Sequence, residues 1–328
     1  MTRKIYVPKG AYFARYLEIL ENPSNAPITA SVELKSGFYS GNTGVIETTS
    51  GGVSIKATGI DRDTWVVIDD TQDSDPFIGG SPPATAFIMS AAGANQTDQF
   101  EFNTVSSNYY QNKALSAGWG SVVVPANGRV TLMHFVSQQV NRTGAKAAAV
   151  RLQQLPPEAI QALTTEEISS IANFVLPANG VSSVPALPSL LGRVSGTVFE
   201  GNQTTTVANA YTTVRSQHPL FNRTYMSQYY YCVMPANAAS LLSNASGVYS
   251  INGQVQDTDS IPIATDSAVE IGISDGGCSP AGHPLTGIGA PAATANFAAG
   301  KTTIAQDIVF PTGILTGDCC RTNRLWSW

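Results

Sequence analysis

Apolar and polar residues alternate with a period of two over much of residues 3–140, which predicts half-buried β-strands. Phe13, Arg15, Leu17 and Ile19 alternate with Tyr16, Glu18 and Leu20, and Val32-Glu33-Leu34-Lys35 repeats the pattern. Val53, Ile55 and Ala57 fall on one face of a further strand. Trp65-Val66-Val67-Ile68 is apolar throughout, as expected of a strand covered on both faces. Phe87-Ile88-Met89, Phe100-Glu101-Phe102, Val122-Val123-Val124 and Val130 to Val136 bring the number of strands to roughly nine. Turn residues punctuate them at Asn22-Pro23, Gly51-Gly52, Ser81-Pro82-Pro83 and Ala126-Asn127-Gly128. Short strands with frequent turns and no intervening helix predict an antiparallel sandwich over residues 1–141.

The period changes over residues 142–176. Ala145 to Leu155 reads as an Ala-rich helix, and Pro156-Pro157 opens a short second one, where missing N–H groups cost little. Thr164-Thr165-Glu166-Glu167 is a capping box, and Ile168, Ile171, Ala172 and Val175 then share one helical face. Residues 177–191 carry Pro177, Pro185 and Pro188 among Ser and Gly, the composition of a semi-rigid linker. A second sandwich is expected over residues 192–317, leaving a tail over residues 318–328. The fold class is thus mainly β: two antiparallel, Ig-like β-sandwiches joined by a short helical segment.

Composition narrows the function classes. Charged residues are only 12% of the 328, about half the usual share, and Gly, Ser, Thr, Asn and Ala fill the gap. Low charge suits a surface buried in an assembly, a sugar-covered surface or simply a secreted β-protein. The net charge is −5 and Lys and Arg are scattered, so no nucleic-acid footprint is present. No apolar run approaches the ~20 residues of a membrane helix. Residues 1–8 lack the apolar core of a signal peptide, so an exported protein would be read here in a mature or truncated form.

Catalytic signals are missing. No HExxH or P-loop occurs, no GxSxG or GxGxxG sits in a βαβ context, and acidic residues cluster in turns rather than as the opposed pair of a glycosidase. His134 lies in an apolar strand and reads as a satisfied core or interface residue, while His218 and His283 each precede a Pro in loops. No cofactor is expected, with one exception. Asp69, Asp70, Asp73 and Asp75 crowd one turn region, where carboxylates and carbonyls could supply the oxygen shell of Ca²⁺; the alternative is solvated turn chemistry. Tyr229 and Tyr231 share one side of a strand and could stack on surface glycans, against an alternative of core and interface packing. Sequons at Asn95, Asn141, Asn202, Asn222 and Asn244 hardly exceed the three or four expected by chance.

Cys232, Cys278, Cys319 and Cys320 lack zinc or haem spacing and are disulfide candidates, within the chain or between chains. The tail ends Arg324-Leu325-Trp326-Ser327-Trp328. Two Trp are costly to leave in water, so Leu325, Trp326 and Trp328 are expected either to dock on a neighbouring chain or to pack back on their own domain. An unpaired edge near Ile5, Tyr6 and Val7 is the other assembly candidate.

Residues 192–317 also carry a family resemblance. Gly192-Arg193-Val194-Ser195-Gly196-Thr197-Val198-Phe199-Glu200 opens the region, and Val207 to Arg215 follows. Asn244-Ala245-Ser246-Gly247-Val248-Tyr249-Ser250, Ala299-Gly300-Lys301-Thr302-Thr303 and Ile308-Val309-Phe310 complete it. This order resembles the carboxypeptidase-regulatory-like repeat, a transthyretin-like β-sandwich of large bacterial surface and secreted proteins. Arg15 to Pro23, Trp65 to Asp70, Leu132 to Phe135, Leu155 to Ala159 and Leu187 to Gly192 resemble a β-domain that precedes such repeats. The resemblance implies spacers and binding units without catalysis. The expected function is an extracellular structural subunit that assembles head to tail into a filament or surface layer, with itself as partner. The alternative is an adhesin or carbohydrate-binding module cut from a larger surface protein.

Overall fold

The computed structural model describes residues 1–10, 12–38, 44–59, 61–73, 82–106, 111–177, 180–208, 210–222, 224–225, 243–255, 262–274 and 293–309. The chain divides into two compact units, Met1–Leu187 and Pro188–Trp328.

In the first unit the alternating segments become β1 (Thr2–Tyr6), β2 (Ala14–Asn22), β3 (Ile28–Phe38), β4 (Val45–Thr49), β5 (Trp65–Asp69), β6 (Ala84–Ile88), β7 (Gln99–Ser106), β8 (Gln111–Val124) and β9 (Gly128–Gln139). They form a six-stranded sheet in the order β1-β2-β9-β6-β5-β4 and a three-stranded sheet β3-β8-β7. All of these ladders are antiparallel. Val66, Ile68, Phe87 and Leu132 of the larger sheet meet Val32, Phe100, Leu115, Ala117 and Trp119 of the smaller one in a single core. Burying side chains of this size from both sheets is what holds the sandwich closed.

The opposite face of the six-stranded sheet is covered too. The Ala-rich segment forms α1 (Arg142–Gln153), capped by the Asn141 side chain, and packs on β5, β6 and β9. Ala145, Ala148, Ala149 and Leu152 are fully buried beneath it. Small residues there let the helix approach Ala84 and Ala86, which alternate with the core-facing Phe87. Trp65 to Asp69 is consequently buried at every position, as a strand sandwiched between two layers must be. The helical segment is therefore a third layer of the first unit. It does not stand apart as a connector, and the unit extends to Leu187.

Two local expectations change. The Val53-Ile55-Ala57 stretch forms bends instead of a strand, with Val53 exposed. The buried Asp63 carboxylate accepts from the Gly51 and Lys56 amides and the Ser50 hydroxyl, which organises a loop at the expense of a ladder. The capping box forms as written, but its helix ends early. After α2 (Pro157–Ile160), α3 covers only Thr165–Ser170. Ile171 is extended and bridges Thr131, and the Ala172 amide donates to the Thr131 carbonyl. Pairing with a strand edge outweighs one more helical turn, and Val175 is left exposed.

The second unit is a separate sandwich. β10 (Arg193–Phe199) and β13 (Val248–Asn252) are antiparallel, while β16 (Thr303–Ala305) and β17 (Ile308–Val309) run parallel to β10. Its partner sheet is β12-β11-β14-β15, from Thr224–Tyr225, Tyr211–Ser216, Val269–Ser274 and Ala293–Ala295. Val194, Val198, Tyr249, Ile251 and Ile304 pack against Val214, Val269 and Ile271 between the sheets. The unit is mixed rather than purely antiparallel because β16 and β17 both join β10 head to head. The end of the expected linker already belongs here: Ser189 and Leu190 accept from the Thr265 and Ile263 amides.

Candidate functional site

The assembly candidates Ile5, Tyr6 and Val7 lie at or just past the end of β1, an edge strand of the six-stranded sheet. Among the described strands β1 pairs with β2 alone, so its outer backbone groups face no described strand. Ile5 and Val7 are 55% and 65% exposed, and Tyr6 is half-buried. An edge of this kind accepts an added strand unless charge, proline or a bulge blunts it.

Side chains on both faces of β1 are tied to charge beneath it. Arg3 lies opposite Glu18 in register, and its Nε donates to Glu18 Oε1 at 2.7 Å. His134 Nε2 lies 3.1 Å from the same oxygen and stacks at 4.8 Å on Tyr16. On the other face Lys4 Nζ donates to Glu167 Oε1 at 2.7 Å. The Arg15 guanidinium sits 4.6 Å from the centre of the Tyr6 ring and donates to the carbonyls of Ala159 and Gln161. Arg15 and Glu18 are both 0% exposed. The alternation of β2 made both visible as strand residues, but nothing in the sequence marked them as buried charges with partners on β1, β9 and the α2–α3 corner.

Burial pushes the Glu18 carboxyl up, but hydrogen bonds from His134 and Arg3 together outweigh it and leave it below the ordinary range. Burial holds the His134 imidazole down from 6.5, against the pull of Glu18. Both depressed groups act in one direction. The unfolded chain takes up protons that the folded unit resists, so stability falls as pH drops below about 6.5. His134→Gln, which keeps an N–H for Glu18, is expected to flatten the stability profile of the first unit between pH 7 and pH 5. Urea midpoints measured across that range check this; parallel wild-type and variant profiles would refute it.

Asp69, Asp70 and Asp73 gather about a cation that the chain itself provides. Arg142 Nε donates to Asp69 Oδ2 at 2.9 Å, Arg142 NH1 lies 3.0 Å from Glu47 Oε2, and the Arg142 amide donates to Asp73 Oδ1 at 2.8 Å. The Asp70 carbonyl also accepts from Arg142, and the Asp70 side chain caps the Gln72 amide. Among the described residues, no group of three or more His, Cys, Asp or Glu is placed to hold a metal ion. Asp75 lies outside the described residues. Asp69 is raised by burial, which Arg142 only partly offsets. Arg142→Ala is expected to cost the first unit about 2 kcal/mol at neutral pH by stranding a buried carboxylate. With its folded pKa raised, Asp69 favours folding below the ordinary carboxylate range and loses that contribution as pH rises. The defect should therefore shrink on acidification, which chemical denaturation at two pH values will read.

The tail residues Leu325, Trp326 and Trp328 lie outside the described residues, as do Cys232, Cys278, Cys319, Cys320, Tyr229 and Tyr231. Of the sequon asparagines, Asn141 caps α1, Asn202 and Asn244 close exposed turns through their own side chains, and Asn222 accepts from Arg215. Among the described residues no helix is long and apolar enough to cross a membrane.

No family model matches the chain, and no curated protein matches it. Among solved structures, the backbone protein of pilus 2b from group B streptococcus aligns over 94% of this chain and 96% of its own, with a TM-score of 0.22 and 10% sequence identity. Superposition at that level does not establish a common fold.

Proposed function

We propose that this chain is a non-catalytic structural subunit of an extracellular or cell-surface polymer, whose copies join through the open edge of β1. The observation that carries the reading is the edge itself: a five-residue strand that among the described strands pairs on one side, with exposed Ile5 near its end and exposed Val7 just past it. A strand supplied by a neighbour would satisfy the outward backbone groups and cover both side chains. The edge and the segment that fills it are different surfaces, so the contact is heterologous, and heterologous contacts that do not close form filaments. The apolar segment Leu325–Trp328 is the proposed incoming strand. Two sandwiches in series, low charge and the resemblance of residues 192–317 to a repeat used as a spacer all fit this role.

The test is electron microscopy and sedimentation of the full chain beside Ile5→Lys/Val7→Lys and beside a chain lacking residues 318–328. Lysine on an edge blocks strand addition without disturbing a core. Both changes should abolish filaments or raise the concentration needed for them by about tenfold or more. A full chain that remains monomeric at high concentration would overturn the proposal.

A further inference from the structure

β1 is bound to its unit in an unusual way. Residues 2–5 are exposed and Tyr6 is half-buried, so the strand contributes little apolar burial. What holds it, beyond the ladder to β2, is charge: Arg3 on Glu18, Lys4 on Glu167 and the Tyr6 ring over Arg15. The groups beneath are part of the core. Glu18 and Arg15 are 0% exposed and Glu167 is 5% exposed. Glu18 Oε2 and Arg15 Nε and NH2 already lack partners, so an empty seat would add further uncompensated buried charge. The chain after β1 passes through Pro8 and Gly10, the latter at φ 65°, and is locked again at Tyr12. The Tyr12 hydroxyl donates to Glu158, and its carbonyl accepts from Ser137 and Gln139.

The seat therefore demands a strand with two adjacent cations and an aromatic two residues later. Arg3-Lys4 is the one pair of adjacent basic residues in the sequence, and Tyr6 follows at that spacing. We infer that the seat is an exchange site whose second occupant is the β1 strand of another copy. Residues 2–6 of one copy leave their own seat, hinge over residues 7–10 and enter the seat of the next. Exchange of an identical element recreates every contact of the closed form, so it costs only the association and the altered hinge. The inference rests on the self-assembling role proposed above, but it uses the inner side of β1 where that role uses the outer edge.

A C-terminally labelled peptide of residues 1–8 tests it. The receptors are the full chain and the full chain carrying Arg3→Ala/Lys4→Ala, which loosens the resident strand at exposed positions and leaves the seat intact. The expected result is tighter binding of the wild-type peptide to the loosened receptor by about tenfold. The same substitutions in the peptide should weaken its binding by a similar factor, and residues 2–6 of the receptor should lose amide protection as the peptide binds. No binding to the loosened receptor would overturn the inference. So would equal binding of both peptides with the resident strand still protected, which is addition to the outer edge and leaves the proposed function standing. Peptide exchange on a chain that sediments as a monomer would uphold the exchange site and sink the polymer.

Discussion

Replacing Asn173 by Ala is expected to cost the first unit about 4 kcal/mol. Asn173 is fully buried, and its side chain stands where β6 and β9 have stopped pairing. Nδ2 donates to the carbonyls of Met89 and Met133, at 2.6 Å each, and Oδ1 accepts from the Met133 amide at 2.8 Å. One amide group thus completes a ladder that the two strands no longer make. Alanine leaves those three backbone groups buried without partners, at roughly 1–3 kcal/mol each before any water enters. Asn173→Leu should fare no better, because filling the volume does not restore the bonds. A control at exposed Val175, outside this network, should stay within about 0.5 kcal/mol. Thermal unfolding is the measurement, with a fall of roughly 8–16 °C expected for a unit of this size. A shift of a degree or two would mean that solvent reaches these groups and that the side chain is not the plug described.

Gly196→Ala is expected to damage the second unit by about 3 kcal/mol or more. β10 pairs with β16 up to Ser195 and with β17 from Val198. Between them Gln306 crosses against Gly196, its amide donating to the Ser195 carbonyl at 2.8 Å. A Cβ on Gly196 would lie 1.8 Å from the Gln306 carbonyl oxygen and 2.5 Å from its carbon. Both are backbone atoms, so no rotamer change relieves the overlap. The Tyr249 ring edge, 3.0 Å away on the same side, closes the other exit. The relief left is separation of β17 from β10, which would uncover Ile308. Overpacking usually costs about 1–3 kcal/mol, and backbone displacement puts this case at or above the upper end. Gly37→Ala, which meets no atom within 4 Å, should be close to neutral. Amide exchange across residues 303–309 distinguishes the expected local separation from general unfolding, and unchanged protection there would contradict the account.

Much of the architecture was legible because it depends on short-range periodicity. Alternation located most of the strands of the first unit, and an unbroken apolar run marked β5 as covered on both faces. Spacing of Thr164 and Glu167 alone predicted a capping box that forms with both of its bonds. Ile5, Tyr6 and Val7, named only as an edge candidate, lie at or just past the end of the edge strand β1. Periodicity failed where a long-range partner outbid a local pattern. Ile171 and Ala172 keep helical spacing but give their backbone to Thr131, and Val53 to Ala57 alternate like a strand but bend around the buried Asp63 carboxylate.

The β-rich class and the division into two sandwiches could be read from the chain alone. These follow from the side-chain period, turn residues and composition, which act between near neighbours. Long-range packing, by contrast, sets the helices as a third layer on the first unit and brings Arg142 in as the positive charge among the crowded aspartates. It alone placed Glu18, Arg15 and Glu167 beneath β1 as the charged seat of an edge strand. Those facts depend on residues as far apart as 163 positions, such as Lys4 and Glu167. Periodicity states which way a side chain faces; it does not state which distant charge will meet it there, because that is set by how the layers stack.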